Sequence, residues 1–234
     1  MPHDTVAIVP ARGGSKRIPR KNIRPFLGQP ILGRVLEQLR ASACFDEVMV
    51  STDDSEIAEV ARSNGAAVPF MRSAENSSDN ATTAAVLLEV MAAYARAGRH
   101  YGQICCVYPT AVFVTPELLR EGLQLLRSGS ADCVVPVLRF SFPIQRAFRI
   151  EVGRLQMFHP EHMNTHSRDL PQAFHDAGQF YWLRSTSFLE QNSVYMRESV
   201  PLLLDEMQAH DIDTEDDWRI AELKYVYLQQ RKAR

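Results

Sequence analysis

The chain has 234 residues, 45% of them hydrophobic and 23% charged, the composition of an ordinary globular protein large enough for one sizeable core. Its 26 Lys and Arg stand against 28 Asp and Glu for a formal net charge of −2, which argues against a broad basic surface for nucleic acid. No apolar run approaches the roughly 20 residues of a membrane span and the first residues lack a signal-type core, so a cytoplasmic protein without a membrane partner is expected.

The first element, TVAIVP (5–10), reads as a buried strand. Behind it, between Arg12 and Arg24, stand six basic residues (Arg12, Lys16, Arg17, Arg20, Lys21 and Arg24) and no acidic one. In a slightly acidic chain such a cluster is a local device for a compact polyanion. Gly13 and Gly14 permit close backbone approach, so that amide N–H groups can face phosphate oxygens while Arg12, Lys16 and Lys21 supply charge. Pro19 and Pro25 stiffen the rest. The spacing is neither G-x-G-x-x-G nor G-x-x-x-x-G-K-[ST], which disfavours the dinucleotide and P-loop readings. Without a ligand these charges are expected to cost stability.

ILGRVLEQLRAS then puts Ile31, Leu32, Val35, Leu36 and Leu39 on one helical face, and EVMVST (47–52) reads as a second strand. DSEIAEVARSNG is a helix capped by Asp54 or Ser55 and stopped by Gly65, AAVPF a short strand, and ATTAAVLLEVMAAYARAG a long helix ending at Gly98. QICCVYP and ADCVVPVL are strands flanking the helix TPELLREGLQLLRSG, with Thr115 as its cap and Pro116 in its first turn. This alternation predicts an α/β fold with a mostly parallel sheet covered on both faces, right-handed crossovers, and ligands at the carboxyl ends of the strands. Cys44, Cys105, Cys106 and Cys133 stand in apolar contexts and read as reduced, buried residues. Residues 139–175 break the rhythm and read as an extended insertion rich in aromatics, Pro and His. GQFYWLR returns to the sheet and DTEDDWRIAELKYVYLQQ closes the chain as a helix. His159, His162 and His166 resemble a zinc cluster only superficially. The whole is expected to be one domain, 1–234.

PARGGSKRIPRKN resembles the signature of the cytidylyltransferases that make CMP-sialic acids, the CMP-nonulosonic acid synthetases. The likeness continues in the same order through VSTDDSEIAEVA, RSAENSSDNATT, YPTAVFVTPE and DIDTEDDW, across nearly the whole chain. The resemblance implies a three-layer αβα Rossmann-like nucleotidyltransferase fold. HDAGQFYW (175–182) and RIP (17–19) resemble the branch that activates pseudaminic acid. N-acetylneuraminate enzymes tend to carry Gln where this chain has Tyr108, and enzymes for the eight-carbon sugar KDO have a differently built first loop.

The implied reaction is attack by the anomeric hydroxyl of a nine-carbon 2-keto acid sugar on the α-phosphorus of CTP, releasing pyrophosphate. Carried over onto matching positions, Ala11, Gly13 and Gly14 belong to the nucleotide loop, and Arg12, Ser15, Lys16 and Lys21 hold phosphates. Asn22, Arg72 and Thr83 recognise cytosine and ribose, with a turn-forming Asn as the rival reading of Asn22. Asp211 and Asp213 match the family's metal ligands for Mg²⁺ or Mn²⁺. Two residues apart in an extended segment, both can reach one hard cation, while helix capping competes as an explanation of their acidity. Arg12, Lys21, Asp211 and Asp213 are thus the expected catalytic set. Tyr108, Thr110, Gln145, His166, Arg168, Gln179 and Tyr181 are the sugar-binding candidates. The relatives use the extension equivalent to 139–175 to form a homodimer that shares sugar-site residues. Two readings compete with pseudaminic acid: another nonulosonic acid (legionaminic or N-acetylneuraminic), or a nucleotide-sensing module without turnover.

Overall fold

The computed structural model describes residues 4–232. In chain order it runs through β1 (Thr5–Pro10), a short hairpin of β2 (Pro25–Phe26) and β3 (Gln29–Pro30), α1 (Ile31–Ser42), β4 (Glu47–Ser51), α2 (Ser55–Ser63), α3 (Thr83–Arg96), β5 (Gln103–Val107), α4 (Pro116–Ser128) and β6 (Cys133–Arg139). The remainder contains β7 (Phe148–Glu151), β8 (Arg154–Met157), β9 (Phe174–Asp176), β10 (Phe180–Arg184), α5 (Ser185–Gln191), β11 (Ser199–Leu204) and α6 (Glu215–Lys232).

One sheet is ordered β4-β1-β5-β10-β6-β11, with β9 attached to β6. β1 pairs parallel with β4 and β5, and β6 with β11, while β10 runs antiparallel between β5 and β6. Side chains alternate across the strands. Ala7 and Val9 join a core with α1, α2, α4 and α6, whereas Val6 and Ile8 face α3 and α5 on the other side. The result is a three-layer αβα Rossmann-like fold. The chain leaves β1 toward β4 and returns to β1's other side as β5, which opens a crevice at the carboxyl ends of β1 and β5.

Local signals explain most boundaries. Ile31, Leu32, Val35, Leu36 and Leu39 are the buried face of α1. The cap of α2 is Asp54, whose Oδ1 accepts from the amides of Glu56 and Ile57, each at 3.0 Å. Thr82 and Thr115 cap α3 and α4 in the same way. None of the four cysteines forms a disulfide, and Cys105, Cys106 and Cys133 are buried. Two expectations are corrected. AAVPF is no strand but a single bridge, Met49 to Ala67, because Pro69 has no N–H to continue the ladder. SVPLLL, which the periodicity did not mark, forms β11. It tolerates Pro201 because it lies at the sheet edge.

Within 139–175, β7 and β8 form a hairpin whose two-residue turn, Val152 (φ 49°) and Gly153 (φ 72°), has the left-handed pair of a type I′ turn. Several apolar side chains of the segment lie largely uncovered: Phe142, before the hairpin, is 82% exposed, and Ile150 and Leu155 on it are 75% and 69% exposed.

The basic loop is stapled to the first helix it passes. Arg20 donates to Asp54 Oδ2 at 2.5 Å and also to Glu56. This ion-paired hydrogen bond, with the α2 amides, holds the Asp54 carboxyl down to about 2, against a burial effect that opposes it. The folded-state value lies below the unfolded one of about 3.9, so the contribution is complete above pH 4 and is lost as pH falls toward 2. Asp54→Ala is expected to cost about 1–2 kcal/mol of stability at pH 7. Urea denaturation at pH 7, 4 and 3 should show the deficit shrinking as the medium is acidified.

Candidate active site

A cleft of about 520 Å³ opens at the crevice beside β1 and β5. Arg12, Ser15, Lys16, Lys21 and Asn22 line it from the loop after β1, Tyr108 and Thr110 from the segment after β5, and Arg72, Thr83, Tyr181 and Asp211 from elsewhere. Residues distant in the chain therefore meet in one place.

The loop is anchored beneath the cleft. Ile18 is buried, and the Ala11 amide donates to Ser51 O at 2.9 Å, so Ala11 is a buried support and does not line the cleft. Gly13 donates its amide to Asp53 Oδ1 at 2.9 Å, and a Cβ on it would sit 2.6 Å from Asp54 Oδ2. Its lack of a side chain lets the loop lie against the α2 cap. A Cβ on Gly14 would meet nothing within 4 Å, and neither glycine lines the cleft. Asn22 is buried and donates Nδ2 to Arg12 O at 2.9 Å, fixing the loop's curl. Arg72 is also buried, its guanidinium donating to Ser51 Oγ at 3.0 Å and to Ser51 O; burial lowers its pKa, with Asp53 and Glu89 opposing.

The loop cations are not bare, contrary to the expectation of an uncompensated loop. Arg12 pairs with Asp79 Oδ1 at 2.9 Å, Lys16 holds the other Asp79 oxygen, and Arg17 pairs with Asp213 at 2.8 Å. Lys21 donates to Ile212 O at 2.6 Å and lies 3.4 Å from Asp213. Arg24 pairs with Glu215 at 2.6 Å and stacks 4.6 Å over the Trp218 ring, docking the loop on α6.

Asp211 and Asp213 stand beside this contact. The surrounding protein and the like charge of Asp213 raise the Asp211 pKa, with Lys21 opposing. Thr214 caps α6, its Oγ1 accepting from the Asp217 amide at 3.2 Å, and Asp217 answers from within the helix, its Oδ2 accepting from the amides of Asp213 (3.1 Å) and Thr214 (2.7 Å) and from the Thr214 hydroxyl. Asp211 lines the cleft. An oxygen-only pair whose mutual repulsion a cation would relieve fits a hard divalent ion that keeps water or phosphate oxygens as its other ligands.

Tyr108 and Tyr181 meet edge to face (5.8 Å, 89°), and the Tyr108 hydroxyl is 2.9 Å from Thr83 Oγ1. Three sugar candidates, Gln145, His166 and Arg168, lie in the 139–175 segment and do not line this chain's cleft. Gln179 is 1% exposed and does not line it either; its carbonyl accepts from the Tyr108 amide while its side-chain amide is buried without a protein partner. Sequence reasoning assigned no role to Asp79, Asp176 or Tyr195. Asp79 and Asp176 lie in the segments RSAENSSDNATT and HDAGQFYW, but only the fold brings Asp79 against Arg12 and Lys16 and Asp176 between two tyrosines.

The fold and the cleft define a nucleotidyltransferase, and the sequence places it more narrowly: the chain matches the Cytidylyltransferase family over residues 6–230 and belongs to it. It is 38% identical over 221 residues to a pseudaminic acid cytidylyltransferase of Campylobacter jejuni, covering 94% of this chain and 95% of the relative. A CMP-N,N'-diacetyllegionaminic acid synthase of Legionella pneumophila is 28% identical over 93% of this chain and 94% of its own length. A CMP:2-keto-3-deoxy-manno-octonic acid synthetase structure with CTP superposes with TM-score 0.67 at 16% identity, over 97% of this chain and 99% of the other, a likeness of fold.

Asp79 holds both Arg12 and Lys16 at the mouth of the cleft, so any anion that pairs with these cations competes with it. Asp79→Ala should tighten CTP binding about threefold by calorimetry at low salt, and the gain should fade as ionic strength rises.

Proposed function

We propose that the chain joins CTP to pseudaminic acid, giving CMP-pseudaminic acid and pyrophosphate. The observation that carries this reading is the cleft itself: Arg12 and Lys16, which grip the Asp79 carboxylate, line one cavity together with Asp211, with a tyrosine-lined wall beside them, while Asp213, two residues on, stands outside the lining on Arg17 and Lys21. Identity to the Campylobacter jejuni relative, higher than to the Legionella pneumophila one, supports pseudaminic over legionaminic acid.

In the reaction the anomeric oxygen forms a bond to the α-phosphorus, the bond from that phosphorus to the bridging oxygen breaks, pyrophosphate leaves, and the hydroxyl proton is released. Such a displacement is a matter of alignment and charge neutralisation. Arg12, Ser15 and Lys16, all of which line the cleft, take the phosphates in place of Asp79. Lys21, fixed by Ile212 O, adds charge on the side nearest the acidic pair. Asn22, Arg72 and Thr83 hold cytosine and ribose; cytosine's exocyclic amine needs an acceptor such as the Asn22 carbonyl. Asp211 and Asp213 would hold Mg²⁺ or Mn²⁺. A bound cation would screen the phosphates and lower the pKa of the attacking hydroxyl.

The test is pyrophosphate release from CTP and Mg²⁺ with free pseudaminic, legionaminic and N-acetylneuraminic acids. Pseudaminic acid should react fastest, and Asp211→Asn should slow it and shift the Mg²⁺ requirement upward. Release from none of them, with CTP still bound, would leave a nucleotide-sensing module.

The reading includes one domain, 1–234, working in the cytoplasm as a homodimer. Support for the dimer is the exposed apolar set on 139–175, which includes Phe142, Phe148, Ile150, Leu155 and Phe158. Gln145, His166 and Arg168, away from their own cleft, would then serve the partner's sugar site. Light scattering at assay concentration should report a dimer. Mixing Lys21→Ala with Arg168→Ala chains should restore part of the activity, since a mixed dimer assembles one intact site.

A further inference from the structure

Arg20 does not line the cleft, yet two residues that do, Lys21 and Asn22, follow it directly. Its backbone is left-handed (φ 55°, ψ 27°), a conformation that a residue with a side chain keeps only where its surroundings impose it. Contacts at both ends of the residue impose it here. The guanidinium donates to both oxygens of Asp54, at 2.5 and 3.1 Å, and to Glu56. The carbonyl accepts from the amides of Ile23 and Arg24, each at 3.0 Å, which closes the short turn Lys21–Ile23.

The same carboxylate borders the first half of the loop. A Cβ on Gly13 would sit 2.6 Å from Asp54 Oδ2, the oxygen that Arg20 Nη1 reaches, and the Gly13 amide is held by the neighbouring Asp53. Asn22 Nδ2 then donates back to Arg12 O at 2.9 Å. The loop is therefore a closed ring: Gly13 rests on the α2 cap, the cap holds Arg20, and Asn22 returns to Arg12. Ser15 and Lys16 span this ring, and Arg12 and Lys21 stand near its two ends. A guanidinium that grips both oxygens of a carboxylate fixes direction as well as distance, which a lysine ammonium does not. Where a reaction is governed by alignment, the spacing of its cations sets the rate.

We propose that Arg20 is a positioning residue: its two-pronged grip on Asp54 holds the turn that carries Lys21 and Asn22, and so sets the distance between Lys21 and the Arg12 end of the phosphate loop. The inference rests on the CTP-dependent reading above. It deepens that reading, because Arg20 acts through Lys21 and Asn22 and not on the nucleotide itself.

The experiment is a double-mutant cycle of Arg20→Ala and Asp54→Asn, with Arg20→Lys as the conservative variant, each checked for a native melting transition and assayed well below it. The asparagine keeps an oxygen for the amides of Glu56 and Ile57, so the α2 cap survives while the ionic grip is lost. Pyrophosphate release with CTP, Mg²⁺ and whichever of the three acids reacts fastest gives kcat and KM, calorimetry gives CTP affinity, and amide hydrogen exchange follows Ile23 and Arg24. Arg20→Ala should lower kcat about tenfold to a hundredfold and weaken CTP binding only about threefold, with faster exchange at both amides. Asp54→Asn should do the same, and the double variant should be no worse than either single one, because both remove one interaction. Arg20→Lys should recover part of kcat. Unchanged kcat in folded variants, or losses that add in the double variant, would overturn the positioning role and leave the cytidylyltransferase reading intact. If the wild type binds CTP but turns over none of the acids, the activity reading fails alone and affinity and exchange decide the inference: a non-additive loss in both sustains it, and unchanged values overturn it. A wild type that binds no CTP overturns both.

Discussion

Six like charges crowded between Arg12 and Arg24 repel one another, and the fold answers them with carboxylates drawn from distant parts of the chain. Arg12 and Lys16 take Asp79, Arg17 and Lys21 take Asp213, Arg20 takes Asp54 and Glu56, and Arg24 takes Glu215. Singly, exposed pairs of this kind are worth little. Together they fasten one loop to the α2 cap, to the segment before α3 and to the start of α6, and the space between those attachments is the cleft. The attachments differ in kind. Arg20 and Arg24 bind a helix cap and a stacked indole, contacts that hold structure together. Arg12 and Lys16 hold an exposed side chain inside the cleft, a contact that an anion of higher charge can replace.

The sheet supplies the other half of the site. Because β10 enters antiparallel between β5 and β6, its first residues lie beside the carboxyl end of β5, where Tyr181 stands against Tyr108. The Tyr108 amide donates to Gln179 O at 3.0 Å, tying the two segments at the point where they turn into the cleft. Phe180 and Trp182 fill the opposite face of the same strand, packed under α4, and Trp182 Nε1 donates to Leu119 O at 3.1 Å. The strand thus presents one aromatic to the cleft and its neighbours to the core.

Legibility in the sequence followed the range of the interactions. Helix α1, the caps at Asp54 and Thr115, and the strands β1, β4, β5 and β6 rest on local periodicity and local hydrogen bonds, and all were readable. The segment AAVPF had strand composition but lost its ladder to Pro69, and β11 hid behind a proline that only an edge position excuses. The loop cations were conspicuous as a charge run, while their compensation was not, since Lys21 and Ile212 are separated by 191 residues. Gln179 shows the same limit. Its polar side chain and its place beside Tyr181 invite a ligand role, yet strand geometry buries it.

The acidic segment before α6 resolves a competition that composition alone leaves open, because a helix start and a cation site call for the same residues. The helix start is served by Thr214, whose Oγ1 accepts from the Asp217 amide, and by Asp217, which accepts from the amides of Asp213 and Thr214, so neither Asp211 nor Asp213 is needed as a cap. Asp213 meanwhile rests on Arg17 and Lys21, and these two partners are unequal. The Arg17 side chain is 68% exposed and is free to turn into solvent, whereas that of Lys21 is 20% exposed and keeps its bond to Ile212 O whether or not Asp213 moves. A divalent ion held by Asp211 and Asp213, as proposed above, would displace the more exposed arginine and leave the lysine in position. The charge balance of the site would change while the backbone that carries Lys21 and Asp211 stayed where the loop attachments put it.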